Sequence, residues 1–432
     1  MLLVREFEKK FKVIKQFSKC FKDYRNPDAC EYTLYQLLAQ RIYGICAGYE
    51  DLNDHDFLKK DELFTLLTNK TKDKEIAGKS TLNRLELSSG NYSQAKQDRY
   101  KKIVANDKKI ERLFVRLFLQ AYKKSPKSII LDFDPTDIPI HGNQEGKFFH
   151  GYYDKNCFLP LYVFANGFLL FAKLRKSNID GAYEAKKALE MIVSEIRKKW
   201  PNTEIIFRAD SGFARDEIMS WCEENNVEYI IGLSRNPRLL KSISKESKKL
   251  QEDTEKKKKD LCHYTEFKYQ TLKSWTKKRK VIAKIESRFF KETIFDYDCK
   301  LRFIVTSLKK SPKLLYEKTY CARGDMENRI KENQNYMFAK RTSSSKMRAN
   351  QLRLWLSAIA YTLFHLLRTK GLKNSSMANS QCSSIRLKLI KIGGLIKISC
   401  RRFFIQFSEN YVFKNVFLKA LFFIQKTKPL LC

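Results

Sequence analysis

The stretch Ser128-Ile129-Ile130-Leu131-Asp132-Phe133-Asp134-Pro135 decides the fold. A short apolar run rich in β-formers and closed by proline reads as a buried strand. The two aspartates alternate along it, so both carboxylates fall on one side. Asp134 stands at the C-terminal end, where open α/β sheets place their ligands. A single strand-end aspartate is more often a turn former or a helix cap, so its meaning depends on what surrounds it.

Downstream, CFLPLYVFA (157–165) and GFLLFAKLR (167–175) flank Asn166-Gly167, the signature of a two-residue hairpin. With the opening run they give three consecutive strands, expected to be antiparallel. Ala185, Leu189, Ile192, Val193 and Ile196 recur at helical spacing, with the helix ending near Trp200-Pro201. TEIIFRAD (203–210), a helix from about Arg215 to Glu224, and VEYIIGLS (227–234) then form a strand, helix and strand added by crossovers. Asp210 ends its strand as Asp134 does, followed by a turn at Ser211-Gly212 that leaves the carboxylate exposed. The fold class is mixed α/β.

Around this core the pattern changes. Residues 1–125 read as a helical N-terminal region: Tyr35, Leu37, Leu38 and Ile42 are helically spaced, and basic residues from Ser93 to Lys102 face either phosphates or solvent. The core begins over 126–240. Over 241–312 a charged stretch with the run Lys256 to Lys259 is followed by HYTEFKYQ, KVIAKIES and LRFIVTS, a β-rich insertion. Helix returns over 313–370. Residues 371–432 are expected to be a helical, basic C-terminal region, in which Phe403, Phe404, Val412, Phe413, Phe417, Phe422 and Phe423 form either core or a contact surface.

The chain has 432 residues, and Lys plus Arg number 85 against 48 Asp plus Glu, a net charge of +37. Such an excess calls for a polyanion, and nucleic acid is the expected one; a lysine-rich coding bias is the plainer source. The most apolar window, Trp355 to Leu367, contains His365 and is too short to span a bilayer, so it reads as a buried helix. The first residues mix acidic and basic side chains, unlike a secretory signal. A cytoplasmic, nucleoid-associated protein with no membrane partner is expected. The 11 cysteines form no CxxC pair and read as small buried apolar residues rather than zinc ligands or disulfides.

The third acidic element is TyrCysAlaArgGlyAspMetGluAsnArgIleLys, Tyr320 to Lys331. At helical spacing Tyr320, Arg323, Glu327 and Lys331 fall within one stripe, which by itself suits a solvated face with an Arg323–Glu327 ion pair. After two strand-end aspartates, however, Tyr-x-x-Arg-x-x-x-Glu resembles the signature of insertion-sequence DDE transposases with an RNase H-like fold. YEDLND (49–54), HGNQEGKFFHGYYD (141–154), DSGFA (210–214), IGLSRN (231–236) and the block from Tyr320 to Glu332 resemble the insertion sequence 1380 family over nearly the whole chain.

That resemblance implies that Asp134, Asp210 and Glu327 are the catalytic acids and hold two Mg²⁺ or Mn²⁺ ions. It implies that Tyr320 and Arg323 bind DNA phosphates near the cut. The wider signature has a lysine seven residues after the glutamate; here that position is Gln334, and Lys331 on the same face is the candidate substitute. Arg235 and Asn236 of the IGLSRN block, His150 and Trp275 complete the expected DNA contacts. His141 and His150 read equally as surface or structural residues. Trp275, beside Lys273, Lys277 and Lys278, could stack on an unpaired base, although a tryptophan is more often core. The implied partner is double-stranded DNA, both element ends and target, engaged by a homodimer in the synapse. Two rivals remain. ILDFDPTD also fits the haloacid-dehalogenase phosphatase box, with Asp132 as nucleophile and Asp134 as acid. A non-catalytic, transposase-derived DNA-binding protein would keep the acids only as structure.

Overall fold

The computed structural model describes residues 1–69, 75–88, 93, 98, 100–289, 299–398 and 403–427. Its centre is an eight-stranded mixed sheet. In chain order the strands are β1 (Ser128–Pro135), β2 (Leu161–Ala165), β3 (Phe168–Lys173), β4 (Glu204–Ala209), β5 (Glu228–Leu233), β6 (Leu261–Tyr269), β7 (Arg279–Ser287) and β8 (Cys299–Thr306). Their spatial order is β6-β7-β8-β5-β4-β1-β2-β3. β1 to β3 pair antiparallel, whereas β4 runs parallel to β1 and β5 parallel to β4, as expected. This is an RNase H-like mixed sheet. The β2–β3 turn follows from its sequence: Asn166 and Gly167 both take positive φ, 49° and 78°, as a two-residue hairpin of this hand requires.

The segment expected as a β-rich insertion does contain three strands, but they form no sheet of their own. β8 pairs antiparallel with β5, and β7 and β6 follow it, so the insertion widens the central sheet. Edge-strand backbone groups want partners, and β5 would otherwise be an edge. The charged stretch before them is a helix, Ser244–Lys257, with only Thr254 buried.

One continuous apolar cluster runs from Met1 to Ile424 and includes both terminal regions. The N-terminal helix Leu34–Ala47 packs on the central helix Met347–Leu366. Buried Glu86 joins these layers, accepting from Arg41 at 2.9 Å and Arg353 at 2.7 Å. No helix among the described residues is long and apolar enough to cross a membrane. The opposite sheet face carries a second, smaller cluster: Ile206, Ile230, Ile282 and Ile304 receive Leu315 and Tyr316 from the segment that leads into the Glu327 helix.

Several expectations are corrected. The C-terminal region is not wholly helical: a hairpin of Gly394–Ile398 and Phe403–Phe407 precedes the helix Lys414–Lys426. Phe417 is buried there and Phe413 half-buried, while Phe404, Val412, Phe422 and Phe423 are exposed; the side chain of Phe403 lies outside the described residues. Residues 94–97 and 99 of the basic stretch Ser93 to Lys102 also lie outside them. Of the described cysteines, Cys262 and Cys321 are exposed rather than buried.

Candidate active site

Asp134 and Asp210 leave the C-terminal ends of adjacent parallel strands, β1 and β4, so the sheet itself sets them side by side. Asp210 also caps the short 3-10 turn Ser211–Phe213, accepting from Gly212 N at 2.9 Å, which fixes one carboxylate oxygen. Glu327 comes from the helix Gly324–Lys331.

The chain around Glu327 is not the single α-helix implied by a regular stripe. It winds as π over Leu315–Tyr320, 3-10 over Cys321–Arg323, α over Gly324–Lys331 and π again over Glu332–Tyr336. Such interruptions recur at functional sites. Tyr320 therefore leaves the stripe, and its hydroxyl packs against Gly232 on β5, next to Asp210. Burial raises its pKa, with Arg323 opposing. Arg323, Glu327 and Lys331 still line one cavity of about 610 Å³ with Asp134, Asp210, Thr136, His150, Tyr152, Tyr153 and Gln334.

Arg323 is the hub. Its Nη2 donates to Asp134 Oδ1 and lies 3.8 Å from Asp210 Oδ2, while Nη1 lies 3.9 Å from Glu327 Oε1. Three carboxylates thus converge on one cation. Exposure grades across the trio, from 13% for the Asp134 side chain through 37% for Asp210 to 50% for Glu327, so the site is closed at the sheet and open at the helix. Burial pushes the Asp134 carboxyl up to about 7, Arg323 counteracts it, and Asp210 and Glu327 add to it. A carboxylate so placed needs cationic company to ionise. Among the described residues no group of three His, Cys, Asp or Glu side chains is gathered closely enough to hold an ion as it stands; here the guanidinium separates the acids. The donors nevertheless fit a hard divalent cation, being carboxylate oxygens that already surround one positive charge.

The remaining expected residues divide. His150 lines the cavity, its Nδ1 buried without a partner and its ring against Tyr153. His141 lines a different cavity with Gln144 and Lys340. Gln334, where a lysine was expected, donates to Asp137 O at 3.4 Å, and Lys331 is exposed in the same cavity. Arg235 is exposed, but neither it nor Asn236 lines the cavity. Asn236 is the cap of the helix Pro237–Ser242, accepting from Leu239 N at 3.0 Å. Trp275 is 5% exposed, edge-on to Tyr269 under the Arg279 guanidinium, and has no free face on which a base could stack. Tyr152, 86% exposed, and Tyr153 were not singled out from sequence, although HGYYD carries them.

Asp132, the nucleophile of the phosphatase alternative, is not free: Arg208 on β4 grips it with Nη2–Oδ2 at 2.8 Å and a second bond from Nε to Oδ1.

Asp134, Asp210 and Glu327 thus lie together at one end of the mixed sheet. The chain matches the family Transposase DDE domain group 1 over residues 1–429 and belongs to it. No curated protein matches it. Among solved structures, the piggyBac transposase synaptic complex with hairpin DNA, determined by cryo-EM, is similar at 12% identity over 88% of this chain and 78% of that one, with a TM-score of 0.42.

Proposed function

We propose that this DDE transposase, an insertion sequence 1380 type by its sequence blocks, binds the inverted-repeat ends of its element, cleaves them with divalent metal and joins the 3′ ends to target DNA. The observation that carries this reading is the convergence of Asp134, Asp210 and Glu327 on a single cation in an open cleft. Asp134, Asp210 and Glu327 would hold two Mg²⁺ or Mn²⁺ ions. Such a pair supplies activation of the attacking oxygen and stabilisation of the leaving one. Around it the chain's own residues bind and orient. Arg323 offers a planar fork for a phosphate, Lys331 and His150 line the same cleft, and the surplus of basic residues draws the DNA backbone. With Asp132 held by Arg208, the phosphatase reading loses its nucleophile.

The test is cleavage of inverted-repeat end DNA with Mg²⁺. Asp134→Ala, Asp210→Ala and Glu327→Ala should each abolish strand cleavage and leave binding to the ends nearly intact. Cleavage surviving all three substitutions would overturn the assignment, as would loss of binding in all three.

A further inference from the structure

The sheet face beneath the acids is a ladder of three rungs. Ile130 on β1 stands opposite Ile206 on β4, Asp132 opposite Arg208, and then come the acids Asp134 and Asp210. Alternation puts every second residue on the same face, so one helical segment crosses all three rungs. Leu315 and Tyr316 pack on the isoleucine rung, and Arg323 meets the acid rung. Between them lies the ion pair. Besides its two bonds to Asp132, Arg208 donates from Nη1 to Thr319 O and from Nη2 to Ala322 O at 3.4 Å. These two carbonyls immediately precede Tyr320 and Arg323 and lie where the winding passes from π to 3-10. The Arg208 and Asp132 side chains are 5% and 11% exposed, too enclosed to meet DNA directly.

From this geometry we infer that Asp132 and Arg208 are positioning residues: the pair locks the Glu327 helix to the strands of Asp134 and Asp210 and thereby sets the spacing of the three acids. Asp132 orients the guanidinium with its two bonds, and the guanidinium holds the helix by its backbone. The planar fork matters, because a lysine offers one donor centre and cannot grip Asp132 and two carbonyls together. The inference rests on the proposed metal-dependent reading of the acid trio.

The experiment uses the full chain and reads Mn²⁺ binding by calorimetry, thermal melting, end-DNA affinity and the cleavage rate at saturating DNA. Asp210→Ala is the control for the metal reading: if it binds Mn²⁺ as the parent does, that reading fails. With that control lost as expected, Asp132→Asn and Arg208→Lys should weaken Mn²⁺ binding and slow cleavage by at least ~10-fold, the scale seen when the partner that orients a ligand is removed, while end-DNA affinity stays within about twofold. The double variant should be no worse than the poorer single, because the two side chains act as one unit. Should Asp132→Asn not fold, Arg208→Lys, which keeps the buried charge, carries the test. Parent-like Mn²⁺ binding and cleavage in a folded Arg208→Lys protein, or strictly additive losses, would overturn the inference.

Discussion

Gly232 has no room for a side chain. A Cβ there would stand 2.5 Å from the Tyr320 hydroxyl and 3.0 Å from Ser211 N, with the Asp210 carbonyl carbon at 3.3 Å. The tyrosine could swing aside, but the backbone of Asp210 and Ser211 could not without moving an acid. Gly232→Ala is therefore expected to cost ~1–3 kcal/mol of stability, the usual penalty for overfilling a packed site, and to slow end cleavage more than that loss explains. Cleavage compared with melting well below the transition checks this: a parent-like rate in the folded variant would show that the Tyr320 and Asp210 placement does not depend on the missing methyl. The same scale explains what sequence could not tell about Asp132. A charged residue two places before Asp210, after the apolar run Ile205 to Phe207, is visible in TEIIFRAD, yet its partner across the sheet depends on the register of β1 against β4, which only pairing reveals.

Among the elements, the N-terminal helices contain a titratable group with a clear consequence. His55 is fully buried, and Arg41 Nη1 donates to its Nε2 at 3.2 Å, an arrangement that requires the neutral ring. Burial, followed by the nearby Arg41 charge, lowers its pKa from 6.5 to about 3. Between those values the unfolded chain binds a proton that the folded one refuses. The contribution is thus complete above pH 6.5 and is lost as pH falls towards 3, at up to ~1.4 kcal/mol per unit. His365 acts with the same sign, so the readout is a difference. Denaturant unfolding of the parent and of His55→Gln at pH 7 and pH 5 should show the parent losing ~2 kcal/mol more than the variant on acidification. Equal losses would mean that His55 is charged in the folded protein. How far elements were legible follows from the same physics. β1, the Asn166-Gly167 hairpin and the strand, helix and strand series around Asp210 are local patterns, and they appear where periodicity places them. Which edge would receive β6 to β8 is a long-range pairing with no local signature. The π and 3-10 windings of the Glu327 helix, whose segment crosses the isoleucine and ion-pair rungs, were equally hidden. Trp275 shows the limit of composition: beside its lysines it reads as a stacking residue or, more readily, a core tryptophan, and only the packing of Tyr269 and Arg279 around it decides for the core.

At the scale of the whole molecule, the acid trio described in each chain serves one cleft, whereas excision of an element requires cuts at both of its ends. On the proposed function a second chain is therefore expected, and inverted ends favour a two-fold arrangement. The C-terminal region is the expected surface for it. Phe417 and Ile424 anchor the helix Lys414–Lys426 in the core, and from that anchored base Val412, Leu418, Phe422 and Phe423 project with exposures between 45% and 86%. Leu418, Phe422 and Phe423 lie on that helix and Val412 just before it, an apolar exposure that suits a contact between chains. The active species is expected to be a synapse of at least two chains, with Phe422 and Phe423 in the contact. Mixing Asp210→Ala chains with parent chains on a paired-end substrate should give complexes in which one end is cut and the other spared. Phe422→Glu should reduce paired-end complexes while leaving single-end binding in place, since the DNA-facing charge is untouched. A loss of activity in simple proportion to inactive chain, with no asymmetrically cut product and no effect of Phe422→Glu on pairing, would instead establish chains that work one end at a time and leave the exposed phenylalanines without a role in assembly.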